Sequence, residues 1–253
     1  MERVDRAQVG VFFSPEPLAA GAPAMLGEDA AHHMRVRRTE VGERVRLVDG
    51  AGHVGEGRLV RLAKSGATVD VERVDARAPA PPVHLLVPVG DRDRMLWLAE
   101  KCAELELTSW RPVLWRRSRS VSPRGEGTGF QARVRARMAA ALAQSEGGWL
   151  PTLYPDATVD RAMAATPPGT RWLLDPDGAP IADLALTGPV TLALGPEGGL
   201  ERDERERLID AGFAPAALAG NILRFETAGL VALGIVRARL ATLPVTPEPD
   251  ADG

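Results

Sequence analysis

The rhythm of apolar residues changes once along this chain, and that change limits the fold more than any single motif does. From Arg44 to Val74, RVRLVDGAGHVGEGRLVRLAKSGATVDVERV, apolar and polar residues alternate, interrupted by turn signals at Asp49-Gly50, Gly55, Gly57 and Ser65-Gly66. Alternation gives a sheet one buried face, and closely spaced turns fold it back on itself as hairpins. Residues from about 9 to 75 therefore read as short strands of a small β-barrel. DARAPAPPV, ending at Val83, reads as a linker. Beyond it the alternation stops. VHLLVPV, RWLLD and VTLAL are continuous apolar runs, as in strands covered on both faces. SWRPVLW is a further short strand. Helical spacing fills residues 91–107 (with Asp91 as N-cap), 128–146, 201–212 (closed by Gly212) and 226–243. Strands alternating with helices predict a parallel α/β sheet. The expected division is a barrel over residues 1–76, an α/β domain over 77–243 and a disordered tail, PVTPEPDADG, over 244–253.

Composition excludes several function classes. No run of about 18 apolar residues occurs, so no membrane-spanning helix is expected. The opening MERVDRAQVG lacks the apolar centre of a signal peptide, which makes the cytoplasm the expected compartment. The single cysteine, Cys102, rules out an internal disulfide and a cysteine-rich zinc site, and its apolar surroundings predict a buried, inert thiol. His32 and His33 are adjacent and cannot face one metal from a regular element. No G-x-S-x-G elbow and no Asp/Glu/His cluster at metal spacing is present, so no metal is expected. The net charge is −3, yet arginines gather in three places: Arg35, Arg37 and Arg38; Arg111 to Arg124; and Arg133, Arg135 and Arg137. Any one cluster reads equally as a solvated face. Three on a weakly acidic chain point towards a polyanion.

Two glycine-bearing stretches remain. LALGPEGGLERDE runs from a buried strand through Gly195, Pro196, Glu197, Gly198 and Gly199 into a charged helix. It lacks the Lys-Ser/Thr of a P-loop and the spacing of a dinucleotide fingerprint. It is either a plain tight turn or a place where a ligand approaches the backbone at the carboxyl end of a strand. LAGNILRFETAGL, Leu218 to Leu230, also leaves a strand end, crosses Ala219, Gly220 and Asn221, and enters the last helix. If the two strands are neighbours, the loops wall one pocket. Backbone groups would read the edge of a flat ring while Ile222 and Leu223 cover its face.

The pair LGPEGGLERDE and LAGNILRFETA closely resembles the signature of the RsmE-type methyltransferases, SPOUT (α/β-knot) enzymes that act on N3 of a uridine in 16S ribosomal RNA. HHMRVRR is similar to that family's His-x-x-x-Val-Leu-Arg stretch through Val36 and Arg38, KCAELEL to its Lys-x-x-Glu-Leu-Gly segment through Lys101, Glu104 and Leu105, and QSEGGWLP to its Gln-Ser motif. The resemblance implies a PUA-like barrel, then a SPOUT α/β domain whose C-terminal chain threads a trefoil knot. It also implies S-adenosylmethionine as cofactor, 16S ribosomal RNA as partner and a homodimer. The implied cofactor residues are Leu194, Gly195, Pro196, Glu197, Gly198, Gly199, Leu218, Ala219, Gly220, Asn221, Ile222 and Leu223. Four positions depart from the family pattern: Arg37 stands for a leucine, Glu106 for a glycine, Ala219 for a glycine and Gly147 for an arginine.

The implied reaction removes the N3 proton of uracil and places a methyl group there. A fixed guanidinium suits the uracil oxygens as they gain charge, which nominates Arg224. The alternative for Arg224 is an ion pair with Glu226 or Glu197. Glu226 caps the last helix or orients Arg224; Glu197 holds its loop or contacts the cofactor. Arg35, Arg38 and Arg117 are the candidate RNA contacts. Two rival readings are a knot methyltransferase for transfer RNA or another ribosomal site, and a non-catalytic RNA-binding assembly factor.

Overall fold

The computed structural model describes residues 9–118 and 127–242. The expected tail over 244–253, and Arg119 and Arg124 of the second arginine cluster, lie outside the described residues.

The N-terminal half consists of β1 (Val11–Phe13), β2 (Pro23–Leu26), α1 (Glu28–Val36), β3 (Arg44–Val48), β4 (His53–Ala63) and β5 (Gly66–Ala76). They form one five-stranded sheet in the order β1-β3-β4-β5-β2. Strands β4 and β5 are long, and their pairing shifts register at Glu56/Gly57 and again at Leu59/Arg61. Such irregularities bend and twist a hairpin, so the sheet curls around its own core. That core includes Phe12, Leu26, Met34, Leu47, Leu59 and Val69.

Helix α1 differs from expectation, which was for strands throughout this half. It contains HHMRV, with Arg37 and Arg38 just beyond its end, and only Ala31 and Met34 are buried on it. Its N-cap, Gly27, supplies no side-chain hydrogen bond. Neither periodicity nor capping announces it. Tertiary packing holds it instead, with Met34 in the core and the His33 ring edge-on to Phe12 at 5.6 Å.

The C-terminal half consists of β6 (Val83–Pro88), α2 (Arg92–Glu104), β7 (Ser109–Leu114), α3 (Gly127–Ser145), β8 (Thr152–Leu153), β9 (Ala157–Thr158), α4 (Val159–Ala164), β10 (Thr170–Pro180), β11 (Val190–Leu194), α5 (Arg202–Asp210), β12 (Ala214–Ala217) and α6 (Phe225–Leu240). The sheet order is β12-β10-β11-β6-β7-β8, with β9 also paired to β7, and all its pairings are parallel. Continuous apolar runs fit this because both faces are covered. Leu85, Val87, Leu192 and Leu194 face a core shared with α2, α3 and α6, whereas Leu86 and Ala193 face a second core shared with α4 and α5. Burying one such leucine contributes about 1.5–3 kcal/mol. Asp91 caps α2 as expected, accepting from Arg94 N at 3.0 Å.

The halves meet along a seam. Val48 and Val54 pack on Leu142 and Ala143 near the end of α3, joined by Val11, Phe13 and Leu150. Gly52 N donates to Gly148 O at 2.9 Å, Leu150 N to Gly50 O at 2.9 Å, and Trp149 Nε1 to Arg77 O at 2.9 Å. Beside them Arg46 pairs with the Glu146 carboxylate, and Arg77 donates to the Glu146 carbonyl.

Candidate functional site

Parallel strands leave their loops at the carboxyl edge, and there a cavity of about 710 Å³ opens. That lies within the roughly 300–1,000 Å³ usual for small-molecule sites. Its first wall is the glycine loop after β11, from Leu194 to Leu200. Gly199 takes φ +74, a left-handed angle that disfavours other residues, and its N–H closes the turn on Pro196 O at 2.8 Å. The loop's far end is fixed by Glu204 of α5. This buried carboxylate accepts from Glu201 N and from Arg116 N, both at 2.9 Å.

The second wall is the segment after β12. Ile222, Leu223 and Arg224 line the main cavity. Leu218, Ala219 and Asn221 line an adjoining recess of about 70 Å³, which shares Ile222 and Leu223. Gly220 is exposed and lines neither. The two strands are not neighbours, because β10 lies between β11 and β12. The third wall therefore comes from β10 itself. Pairing of β10 with β12 breaks between Leu174 and Ala179, both of which face Ala216. Residues 175–178, Asp-Pro-Asp-Gly, are excluded from the ladder, and Asp175, Pro176 and Asp177 line the cavity. The excursion is tied down by Asp177 N donating to Asp175 Oδ1 at 3.0 Å and by Arg205 Nε on Asp175 Oδ2 at 2.8 Å. Gly178 closes it, since a Cβ there would lie 2.5 Å from Ala216 N. The sequence pattern predicts a strand only over RWLLD, whereas β10 continues to Pro180. The turn residues following RWLLD were the available signal.

The ionisable residues sort differently from expectation. Glu197 pairs with Arg94 of α2, and Glu226 Oε1 lies 3.7 Å from Arg94 Nε. Glu226 is 9% exposed, and its Oε2 has no hydrogen-bond partner among the described residues. Arg224, in contrast, is the N-cap residue of α6, is exposed and forms no ion pair among the described residues. The alternative in which Arg224 pairs with Glu197 or Glu226 is thus not what the chain adopts. Arg94 was not foreseen. It stands 103 positions from Glu197, and no local pattern marks it.

The predicted RNA contacts lie apart from each other. Arg35 and Arg38 are exposed at the end of α1, where Arg35 Nη1 donates to Ala63 O at 2.8 Å. Arg117 sits against the glycine loop, donating to Glu201 Oε1 at 2.7 Å and to Gly198 O at 3.0 Å. The neighbouring Arg116 pairs with Asp203, so α5 offsets part of the second arginine cluster. In the third cluster Arg133 lies over the Phe130 ring at 5.3 Å and Arg137 meets Glu100 at 3.5 Å. Cys102 is fully buried, and burial pushes its thiol far above the usual range. Among the described residues no three His, Cys, Asp or Glu side chains gather as a metal would require, and no helix is long and apolar enough to cross a membrane.

Residues 77–237 match the family model of the RNA methyltransferase domain, and residues 26–72 match that of the RNA methyltransferase PUA domain. The chain is 28% identical over 236 residues to the ribosomal RNA small subunit methyltransferase E of Synechocystis, covering 90% of this chain and 76% of that protein. It is 29% identical over 229 residues to the protein of the same name from Mycobacterium bovis, covering 85% and 86%. The crystal structure of the Neisseria gonorrhoeae ribosomal RNA small subunit methyltransferase E bound to S-adenosyl methionine is similar, with a TM-score of 0.82 at 26% identity, covering 91% of this chain and 98% of that one.

Proposed function

This chain belongs to the RNA methyltransferase family, with an N-terminal PUA domain, and on that premise we propose that it transfers a methyl group from S-adenosylmethionine to N3 of a uridine in 16S ribosomal RNA. The observation that carries the reading is the cavity at the carboxyl edge of the sheet, walled by the two loops whose sequences bear the resemblance. The cavity suits the cofactor by size and by chemistry. Leu174, Leu194, Ile222 and Leu223 offer apolar cover for a flat ring, and loop backbone supplies polar groups for its edge. Leu194 to Gly199, Leu218, Ala219 and Asn221 to Leu223 are its proposed holders, together with the excursion from Asp175 to Asp177. When bound, the cofactor supplies an electrophilic methyl group on a sulfonium.

The chain's own residues have three tasks. They align the acceptor nitrogen, which contributes several kcal/mol on its own. They stabilise charge that spreads onto the uracil oxygens as N3 loses its proton. Arg224 is proposed for this task, and its exposed position on the cavity rim, without an ion pair among the described residues, supports the assignment. They also leave the departing N3 proton an acceptor, which water at the exposed rim beside Arg224 and Ile222 can be. Glu226 is proposed to act through its neighbours and not on substrate, because it is not among the cavity walls. No general base is assigned.

The target base sits in folded RNA and has to leave its stack to reach the cavity. The PUA domain, through Arg35 and Arg38, is proposed to grip phosphates. Arg117 is proposed to brace the glycine loop that it contacts. A homodimer, the trefoil knot and a cytoplasmic location complete the reading.

Two measurements test it. Calorimetry with S-adenosylmethionine is expected to show saturable binding by the purified chain. Mass mapping of 16S ribosomal RNA from a deletion strain is expected to show one uridine lacking its methyl group, restored by add-back. A folded chain that takes up no cofactor at millimolar concentration overturns the proposal. A methyl group missing from transfer RNA instead reassigns the substrate.

A further inference from the structure

Arg94 touches two of the elements that build the cavity. It lies in the first turn of α2, and its backbone N–H is held by the Asp91 cap at 3.0 Å. Its side chain is 30% exposed and lines the cavity. The guanidinium pairs with Glu197, in the middle of the glycine loop, and its Nε lies 3.7 Å from Oε1 of Glu226, the second residue of α6. Glu226 is almost wholly buried, and its Oε2 lacks any hydrogen-bond partner among the described residues. A carboxylate in such surroundings depends on a nearby cation, and among the described residues Arg94 is the one that pairs with it.

We propose that Arg94 is a positioning residue for the cofactor site: its guanidinium fastens the glycine loop to the start of α6 and so fixes the spacing of the two loop walls. Arg224 immediately precedes α6, so the same fastening sets where its guanidinium meets substrate. The inference rests on the methyltransferase reading above. The chemistry demands a cation of some reach, because one group must serve two carboxylates on separate elements. Arginine does this with a planar fork, whereas lysine supplies the charge with less defined geometry. Glutamine supplies neither charge nor fork.

The test is calorimetric binding of S-adenosylmethionine by the full chain, with turnover on 16S ribosomal RNA and thermal melts of every variant. R94Q is expected to weaken cofactor binding on the order of tenfold and to lower kcat on the order of 100-fold, since small misplacements near reacting groups are amplified. RNA affinity is expected to stay unchanged. R94K is expected to recover cofactor binding to within about threefold of wild type, because the cation between the carboxylates returns. In a double-mutant cycle, R94Q combined with E197Q is expected to weaken cofactor binding by less than the product of the two single-variant factors, because the contact they share is lost only once. If R94Q does not fold, the same cycle is run in a Glu226→Gln background, where loss of the Arg94 guanidinium leaves no unpaired buried carboxylate. Additive losses in either cycle, or an R94Q protein that binds cofactor and turns over within twofold of wild type, overturn the proposal alone. A wild-type chain that binds no cofactor overturns the methyltransferase reading and this inference with it.

Discussion

Asp49 shows how one carboxylate can build a loop. Burial alone would raise its pKa, but the N–H groups of Ala51 (2.8 Å), His53 (3.1 Å) and Leu18 (3.2 Å) and the His53 ring (2.7 Å) outweigh burial and hold it below the usual carboxylate range. A depressed carboxyl contributes stability above its unfolded value, near 3.8, and loses it as the pH falls through the lower folded value. Asp49→Asn is therefore expected to cost about 2 kcal/mol at neutral pH. It is also expected to flatten the acid limb of a plot of urea midpoint against pH; an unchanged limb would assign acid unfolding to other groups. The sequence marked Asp49-Gly50 only as a turn. Residue-scale features were legible where the partners were near in sequence, as with Asp91 and the α2 cap. They were hidden where the chain had to fold first. Arg94 with Glu197, and Arg117 with Glu201, are joined only by tertiary structure.

Helix ends show the same division one level up. After α5, Gly212 takes φ +83 and the next two N–H groups close back on the helix, Gly212 N on Ile209 O at 2.8 Å and Phe213 N on Leu208 O at 2.9 Å. That is the motif for which glycine is suited, and the sequence announced it. After α2 the same pair of bonds forms, from Glu106 N to Ala103 O and Leu107 N to Cys102 O, yet Glu106 occupies the left-handed position at φ +55. A side chain there is disfavoured by about 1–2 kcal/mol. The end is held in place by Arg237 of α6, whose guanidinium donates to the carbonyls of Leu105, at 2.9 Å, and Glu106. Glu106→Gly keeps both carbonyls and relieves the strain. It is expected to raise stability by about 1 kcal/mol, seen as a rise of about 2–4 °C in the melting temperature. A drop would mean that the Glu106 side chain itself contributes more than the strain costs. Elements with strong apolar rhythm were readable from the sequence, as the buried parallel strands show. Helix α1 was not, because two buried residues and a glycine cap leave no pattern to read.

For the molecule as a whole, the division of labour follows from placement. Arg35 and Arg38 are exposed on the N-terminal half, and the cavity lies at the carboxyl edge of the sheet in the other half. Reversing both charges, Arg35→Glu with Arg38→Glu, is expected to weaken RNA binding and to reduce its salt slope by about 0.7 per lost phosphate contact, with cofactor affinity unchanged. Filter binding across a salt series checks this, and an unaltered slope would move the RNA grip elsewhere. The two-part architecture was legible in the change of apolar rhythm. The seam was not, because it is made from backbone hydrogen bonds around Gly50, Gly52 and Gly148 and from Glu146 lodged between Arg46 and Arg77. That seam has a consequence for target choice. If the proposed phosphate grip of Arg35 and Arg38 holds, the seam makes the protein a caliper: one jaw for the phosphates, the other for the reactive mouth, and the gap between them a built-in length. A nucleotide would then be chosen by its distance from the gripped backbone as much as by its chemical identity.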